Sequence, residues 1–139
     1  MLLMLEDDAE RIQRFQAAVR SIDPTLPLFI WRDAPSLIRD LEAYLPRARL
    51  ISLDHDLEPL EGGPIDPGTG LDVAKYLAAL TPACDVIIHS SNTTRSIWMS
   101  GEFELGGWRS RRVAPIGEDW IETHWRYVVR KLLKATRAS

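Results

Sequence analysis

The chain has 139 residues, which is enough for one domain with a buried core, and we expect a single domain over residues 1–139. Its net charge of −3 is too mild for a general nucleic-acid-binding protein. No apolar run is long enough to cross a bilayer, the N-terminus lacks the basic start of a secretory signal, and the single cysteine excludes an internal disulfide. We therefore expect a cytoplasmic protein that does not bind membranes.

Short apolar segments alternate with helical patterns along the whole chain. Strands are predicted at Leu2–Leu5, Leu28–Trp31, Leu50–Leu53, Val86–Ile88 and Val113–Ala114. Apolar residues at helical spacing predict helices near 9–21, between 33 and 46, from 71 towards 82, around 93–105, and from Trp120 to Leu133. Five strands alternating with five helices predict an α/β fold with a doubly wound parallel sheet. The strands lack clean alternation, which fits burial on both faces.

Two connecting segments have unusual composition. Residues 58–70 are rich in glycine and proline and are long for a strand-to-helix connection, which is typical of lids and binding loops. Residues 108–112 read Trp-Arg-Ser-Arg-Arg. We interpret this second run as a solvated loop, with contact to a nucleic-acid backbone as the alternative.

Polar side chains follow three of the predicted strands. The segments are Glu6–Asp8, Asp54–Asp56 and His89–Asn92. If the strands are parallel, all three segments meet at the carboxyl edge of the sheet, where open α/β sheets bind their ligands. Two of the three histidines of the chain lie there.

The carboxylates of these segments predict a cation site. Asp7, Asp8 and Asp54 would crowd like charges at one edge, and a divalent cation is the natural compensation. Mg²⁺, or Mn²⁺ in its place, prefers oxygen ligands and binds through one or two carboxylates together with phosphate. The alternative is that some of these acids cap helices, and Asp8 is well placed to do so.

Histidine and hydroxyl side chains at the same edge predict chemistry on phosphate. His55 and His89 follow neighbouring strands and could act as the acid and the base on a phosphodiester. Ser90, Ser91 and Asn92 offer a phosphate seat at the start of a helix. The alternatives are that the histidines are structural and that the polar residues only cap the helix.

These motifs resemble the receiver domains of two-component response regulators over nearly the whole chain. The acidic pair matches Asp7 and Asp8 (Glu6 and Asp7 are an alternative register), the phosphoaccepting aspartate matches Asp54, and the hydroxyl residue matches Ser90. The resemblance implies a flavodoxin-like sheet of order 2-1-3-4-5 with helices on both faces. One position departs from the pattern, since Ala114 stands where receivers carry a lysine before a proline.

Four segments are similar to one branch of this family, the cyclic-phosphate processing receiver domains. They are Asp54–Leu57, Thr69–Gly70, His89–Asn92 and Asp119–Ile121. The resemblance implies a metal-dependent phosphoesterase that acts on a small phosphorylated or cyclic-phosphate substrate, with RNA ends and nucleotides among the candidates. The implied catalytic residues are Asp54, His55, His89 and Ser90.

Two other functions stay open at this stage. The chain could be a signalling receiver in which Asp54 accepts a phosphoryl group, although the neutral Ala114 removes a charge that would stabilise the product. It could also be a degenerate receiver that only binds proteins. The sequence identifies no protein partner for either function.

Overall fold

Five strands and five α-helices alternate along residues 1–138, the part of the chain that the computed structural model describes. The strands are β1 (Leu2–Leu5), β2 (Leu28–Trp31), β3 (Leu50–Leu53), β4 (Asp85–Ile88) and β5 (Ser110–Arg112). The helices are α1 (Ala9–Ile22), α2 (Ala34–Tyr44), α3 (Gly70–Ala78), α4 (Thr93–Leu105) and α5 (Arg126–Ala138). A 3₁₀ turn at Leu45–Arg47 follows α2, and a π-helical turn at Ile121–Trp125 precedes α5.

The strands form one parallel sheet of order β2-β1-β3-β4-β5. This confirms the predicted doubly wound flavodoxin-like fold. In the register of the three central strands, Leu5 pairs with Leu53, and Leu53 pairs with Ile88. The residues that follow these strands therefore leave the sheet side by side.

Helices cover both faces of the sheet, and the strand side chains divide between two cores. Leu3, Leu5, Ile51 and Leu53 pack with α2, α3 and α4. The alternating residues, which include Met4 and Leu50, pack with α1 and α5 on the other face. This burial on both faces explains why the strands read as continuous apolar runs.

Polar side chains fix the starts of four helices. Asp8 caps α1, Asp33 caps α2, Thr69 caps α3 within a capping box, and Asn92 caps α4. A side-chain oxygen at each cap accepts a backbone N–H that the first helical turn leaves unpaired. Two of these caps, Asp8 and Asn92, belong to the polar segments at the carboxyl edge.

The prediction of the fifth strand at Val113–Ala114 was wrong, because β5 lies at Ser110–Arg112. The run at 108–112 was accordingly misread as a loop. β5 is an edge strand with half-buried or exposed residues, so it carries no apolar signal. The buried Val113 marks the end of the strand, where its N–H donates to the carbonyl of Ile88 at 2.9 Å.

The last helix was predicted as one continuous element, but it opens with the π-helical turn. The N–H of Trp125 donates to the carbonyl of Trp120, five residues earlier, at 2.9 Å. This wider turn lets Trp120, Ile121 and Trp125 all be buried against the sheet. No helix within residues 1–138 is long and apolar enough to span a membrane.

The long loop before α3 is tied to the carboxyl edge. The N–H of Glu58 donates to Asp7 Oδ2 at 2.6 Å, and the carbonyl of Pro67 accepts the N–H of Ala34 at 2.8 Å. At the end of the loop, a Cβ on Gly70 would overlap the carbonyl of Asp54. Glycine at this position therefore lets the loop pack directly behind Asp54.

Candidate functional site

Asp54 lies at the centre of the carboxyl edge, directly after β3. Its N–H donates to the carbonyl of Leu5 at 3.0 Å, which continues the sheet by one residue. Its Oδ1 accepts the N–H of His55 at 2.7 Å, and its Oδ2 lies 3.9 Å from Nη1 of Arg11. The backbone thus holds one carboxylate oxygen of Asp54, and the other faces a cleft that contains Arg11.

This cleft, which we call the acidic cleft, has a volume of about 420 Å³. It is lined by Asp7, Asp8, Ala9, Arg11, Asp54, Asp56, Glu58, Leu60 and Ser91. The three carboxylates predicted to bind a cation, Asp7, Asp8 and Asp54, therefore share one cavity. The long loop contributes Glu58 and Leu60 to its wall.

Asp7 and Asp8 already hold parts of the backbone. Asp8 Oδ1 accepts the N–H of Arg11 at 2.9 Å, and Asp7 Oδ2 accepts the N–H of Glu58. Burial raises the pKa of Asp7 above its usual value. Each carboxylate has a second oxygen, so these hydrogen bonds and cation binding are compatible at both positions.

A second set of polar groups lies beneath the cleft, and we call it the buried network. It consists of Glu6, His89, Ser52 and Trp125, whose side chains are linked in a row. His89 Nε2 lies 3.2 Å from Glu6 Oε1, and its Nδ1 lies 2.7 Å from Ser52 Oγ. Trp125 Nε1 donates to the same Ser52 oxygen at 3.1 Å.

The buried network assigns the tautomer of His89. The indole N–H of Trp125 can only donate, so Ser52 accepts from it and turns its own hydroxyl hydrogen towards His89 Nδ1. A neutral His89 then carries its hydrogen on Nε2 and donates it to Glu6. With the opposite tautomer, the Ser52 hydroxyl hydrogen would have no acceptor among the described residues.

The pKa values of the two carboxylates next to His89, Asp54 and Glu6, are shifted in opposite directions. Burial raises the pKa of Asp54 to about 7, and the nearby charge of Glu6 adds to the rise. Burial is the largest single influence on Glu6 and would raise its pKa. The hydrogen bond and electrostatic attraction of His89, the N–H of Asp8 and the charge of Arg11 together outweigh it, so the pKa of Glu6 is lowered. Glu6 Oε2 also accepts the N–H groups of Asp7 and Asp8. Glu6 is therefore the charged member of the pair, and Asp54 is poised to exchange a proton near neutrality.

The two histidines occupy different surroundings. His89 is fully buried, and its ring packs against Phe15 at a centroid distance of 5.0 Å. His55 Nδ1 lies 2.7 Å from Oδ1 of the exposed Asp56. Within residues 1–138, no hydrogen bond or ring contact joins His55 to His89. The structure therefore places them beside the same edge as two separate groups.

The three residues of the predicted phosphate seat, Ser90, Ser91 and Asn92, also lie in different surroundings. Ser90 is buried, and its Oγ accepts the N–H of Asn92 at 3.0 Å. Asn92 caps α4 and approaches Asp56 with its amide nitrogen at 3.4 Å. Ser91 is exposed and lines the acidic cleft. Ser91 is thus the member of this segment that faces the cleft directly.

Comparison with known proteins identifies the family. Residues 1–104 match the model of the cyclic-phosphate processing receiver domain. The chain belongs to this family. No curated protein matches the chain.

Solved structures similar to this receiver domain include response regulators and their receiver domains. One is the response regulator receiver domain from Rhodospirillum rubrum, with 17% identity, a TM-score of 0.65, and coverage of 99% of this chain and 94% of that chain. Another is the phosphorylated cyanobacterial phytochrome response regulator RcpA, with 17% identity, a TM-score of 0.65, and coverage of 94% and 89%. At these identities the similarity shows the fold alone.

Two ligand sets in this receiver domain could hold a cation, and both include Asp54. Glu6, Asp54 and His89 have ligand atoms within 4.8 Å of one another. However, the hydrogen on His89 Nε2 occupies the lone pair that a metal would need. The carboxylates of the acidic cleft offer oxygen ligands beside solvent, which is the donor set that Mg²⁺ prefers. The cleft therefore fits the cation better.

Four residues that build the site were absent from the predicted set: Glu6, Arg11, Ser52 and Trp125. Glu6 had a signal, because it is the first acid after β1 and the alternative register of the acidic pair. Ser52 also had one, since a polar residue within a buried strand needs a partner. Arg11 and Trp125 had none, because their positions depend on how α1 and the π-helical turn pack.

Proposed function

We propose that this receiver domain binds a divalent cation in the acidic cleft and processes a phosphoester there, with a cyclic phosphate as the candidate substrate. One observation carries the proposal: Asp54 lines the cleft and also lies against the buried Glu6–His89 pair. A carboxylate in this position can bind a ligand and exchange a proton in the same place. The family description adds the substrate class.

In this proposal the residues of the acidic cleft have different roles in binding the cation and the phosphate. Asp7, Asp8 and Asp54 would hold the cation, which supplies positive charge to the phosphate oxygens and lowers the pKa of bound water. Ser91, at the start of α4, offers a hydroxyl donor to the phosphate. Burial raises the pKa of Asp54 to about 7 in the cation-free chain, so at neutral pH the binding of the cation would release a proton from Asp54.

The histidines take different parts in this proposal. Asp56 accepts from Nδ1 of His55 and so leaves Nε2 as the basic nitrogen, an arrangement that suits a general base. His89 donates to Glu6 and keeps that carboxylate charged beside Asp54. Of the predicted acid–base pair, His55 is thus the candidate base, and His89 is a positioning residue.

Phosphorus NMR with Mg²⁺ tests the proposal directly. The panel contains cyclic nucleotides, an RNA oligomer ending in a cyclic phosphate, and acetyl phosphate. We expect turnover of at least one cyclic phosphate, loss of turnover in EDTA, and a rate roughly 100-fold or more lower in Asp54→Asn and His55→Ala. An intact panel after long incubation with Mg²⁺ or Mn²⁺ would remove the enzymatic function.

The second candidate is a signalling receiver that carries a phosphoryl group on Asp54. It is favoured by the position of Asp54 in the cleft and by the receiver fold. The neutral Ala114 stands against a stable product. Intact mass after acetyl phosphate treatment separates the two functions. A long-lived adduct that is absent in Asp54→Asn would put signalling first.

A further inference from the structure

The acidic cleft poses an electrostatic problem for any phosphate ligand. Five of its lining residues are acids: Asp7, Asp8, Asp54, Asp56 and Glu58. One divalent cation compensates only part of this charge, and a phosphate oxygen near the remaining carboxylates would be repelled. Among the lining residues, Arg11 is the one permanent cation.

Arg11 lies between Glu6 and Asp54, and the N–H donors of its guanidinium are not used in hydrogen bonds to the described residues. Its Nη1 lies 3.9 Å from Glu6 Oε1 and also 3.9 Å from Asp54 Oδ2, at the outer limit of an ion pair. Its guanidinium lies 5.4 Å from the ring centroid of Trp120, and its side chain is 30% exposed. Within residues 1–138 this guanidinium donates no hydrogen bond, so its donors remain available to a ligand.

Another arginine of α1, Arg14, contrasts with Arg11 because its guanidinium donates several hydrogen bonds within the protein. Arg14, one turn later, donates to both carboxylate oxygens of Glu122 and to the carbonyl of Glu118. Its role is to join α1 to the π-helical turn. Arg11 makes no comparable bond, although it is the arginine that lines the cleft.

We propose that Arg11 binds the phosphate group of the ligand in the acidic cleft. This inference rests on the proposed function and names the residue that gives the same site its affinity for phosphate. The planar guanidinium can offer two parallel N–H donors to a phosphate. The Trp120 ring makes a cation–π contact with the guanidinium, and the charges of Asp54 and Glu6 attract it towards the carboxyl edge.

Calorimetry with two ligands tests the inference. Mg²⁺ is titrated alone, and inorganic phosphate is then titrated at saturating Mg²⁺, into the wild-type chain, Arg11→Gln, Arg11→Lys and Arg20→Gln. Arg20 is exposed near the end of α1, so its variant controls for the change in net charge. We expect Arg11→Gln to weaken phosphate binding roughly 10- to 100-fold.

Loss of Arg11 should affect Mg²⁺ affinity and phosphate affinity differently. Loss of Arg11 removes a positive charge that competes for Asp54, so Mg²⁺ should bind Arg11→Gln as tightly as wild type or a few-fold more tightly. Arg11→Lys keeps the positive charge but lacks the two parallel N–H donors of the guanidinium. It should therefore weaken phosphate binding less than Arg11→Gln does. Arg20→Gln should match wild type for both ligands.

Four results would overturn the inference. The first is phosphate affinity within twofold of wild type in Arg11→Gln, and the second is an equal loss of Mg²⁺ and phosphate affinity, which indicates a structural role. The third is an effect confined to the lifetime of an acetyl phosphate adduct on Asp54. A wild-type chain that binds Mg²⁺ but no phosphate also overturns it. By contrast, phosphate binding that depends on Arg11 without turnover of any cyclic phosphate would remove the proposed activity and leave this inference standing.

Discussion

The acidic cleft and the buried network lie one above the other and differ in how their polar groups are satisfied. In the buried network each side chain has a protein partner, from Trp125 through Ser52 and His89 to Glu6. In the cleft the carboxylates lie beside solvent, with at least part of each group available to a ligand. The difference separates two tasks, since the network fixes positions and the cleft binds. Asp54 lines the cleft and also lies against Glu6 and His89 of the buried network.

The pH dependence of stability gives the largest expected effect. The pKa of Asp54 rises from 3.8 to about 7 on folding because of burial. Between these values the folded chain binds more protons than the unfolded chain, so the free energy of unfolding should fall as pH rises from about 4 to about 7. The full decrease is on the order of 4 kcal/mol. Urea denaturation in EDTA measures it.

Asp54→Asn isolates this contribution. The variant should lack the decrease, and should therefore be more stable than wild type at about pH 8 and similar at about pH 4. Mg²⁺ should then stabilise wild type at about pH 8 but leave the variant nearly unchanged, because a ligand stabilises only the state that binds it. Parallel pH curves for the two chains would contradict the raised pKa.

The two histidines provide the next comparison. His89→Ala removes a buried ring and leaves Ser52 and Glu6 without their partner, so we expect a loss of about 3 kcal/mol in the free energy of unfolding. His55→Ala also removes a buried ring, but the hydrogen-bond partner that it leaves behind is the exposed Asp56, which returns to water, so we expect a smaller loss of about 2 kcal/mol. Urea denaturation of both variants in EDTA at one pH checks this order. Equal costs would contradict a larger contribution from the buried network than from the His55–Asp56 pair.

The fold could be predicted from the sequence because local signals and topology agreed. Continuous apolar runs predicted four of the strands close to their observed bounds, and helical periodicity predicted the helices between them. The failures have physical causes. β5 is a polar edge strand whose pairing with β4 supplies its stability, and the π-helical turn depends on packing Trp120 and Trp125 against the sheet.

The candidate site was only partly predictable. Parallel strands had to bring Asp7, Asp8 and Asp54 to one edge, and the structure places all three in one cleft. The orientation of side chains was beyond the sequence, because it depends on contacts between distant elements. His89 turns inward because Ser52 and Trp125, far apart in the chain, hold it there.

The smallest expected effect concerns Asp8, which is the N-cap of α1 and also lines the acidic cleft. Asp8→Ala should cost about 1 kcal/mol, because it leaves the N–H of Arg11 without its acceptor. Asp8→Asn should cost little, since asparagine caps helices as well as aspartate does. Asparagine lacks the charge, however, so Asp8→Asn should still weaken Mg²⁺ binding measured by calorimetry. The loss should be smaller than in Asp54→Asn, because Asp8 already uses one oxygen for the cap. If Asp8→Asn binds Mg²⁺ like wild type, Asp8 serves α1 alone and the cation site reduces to Asp7 and Asp54.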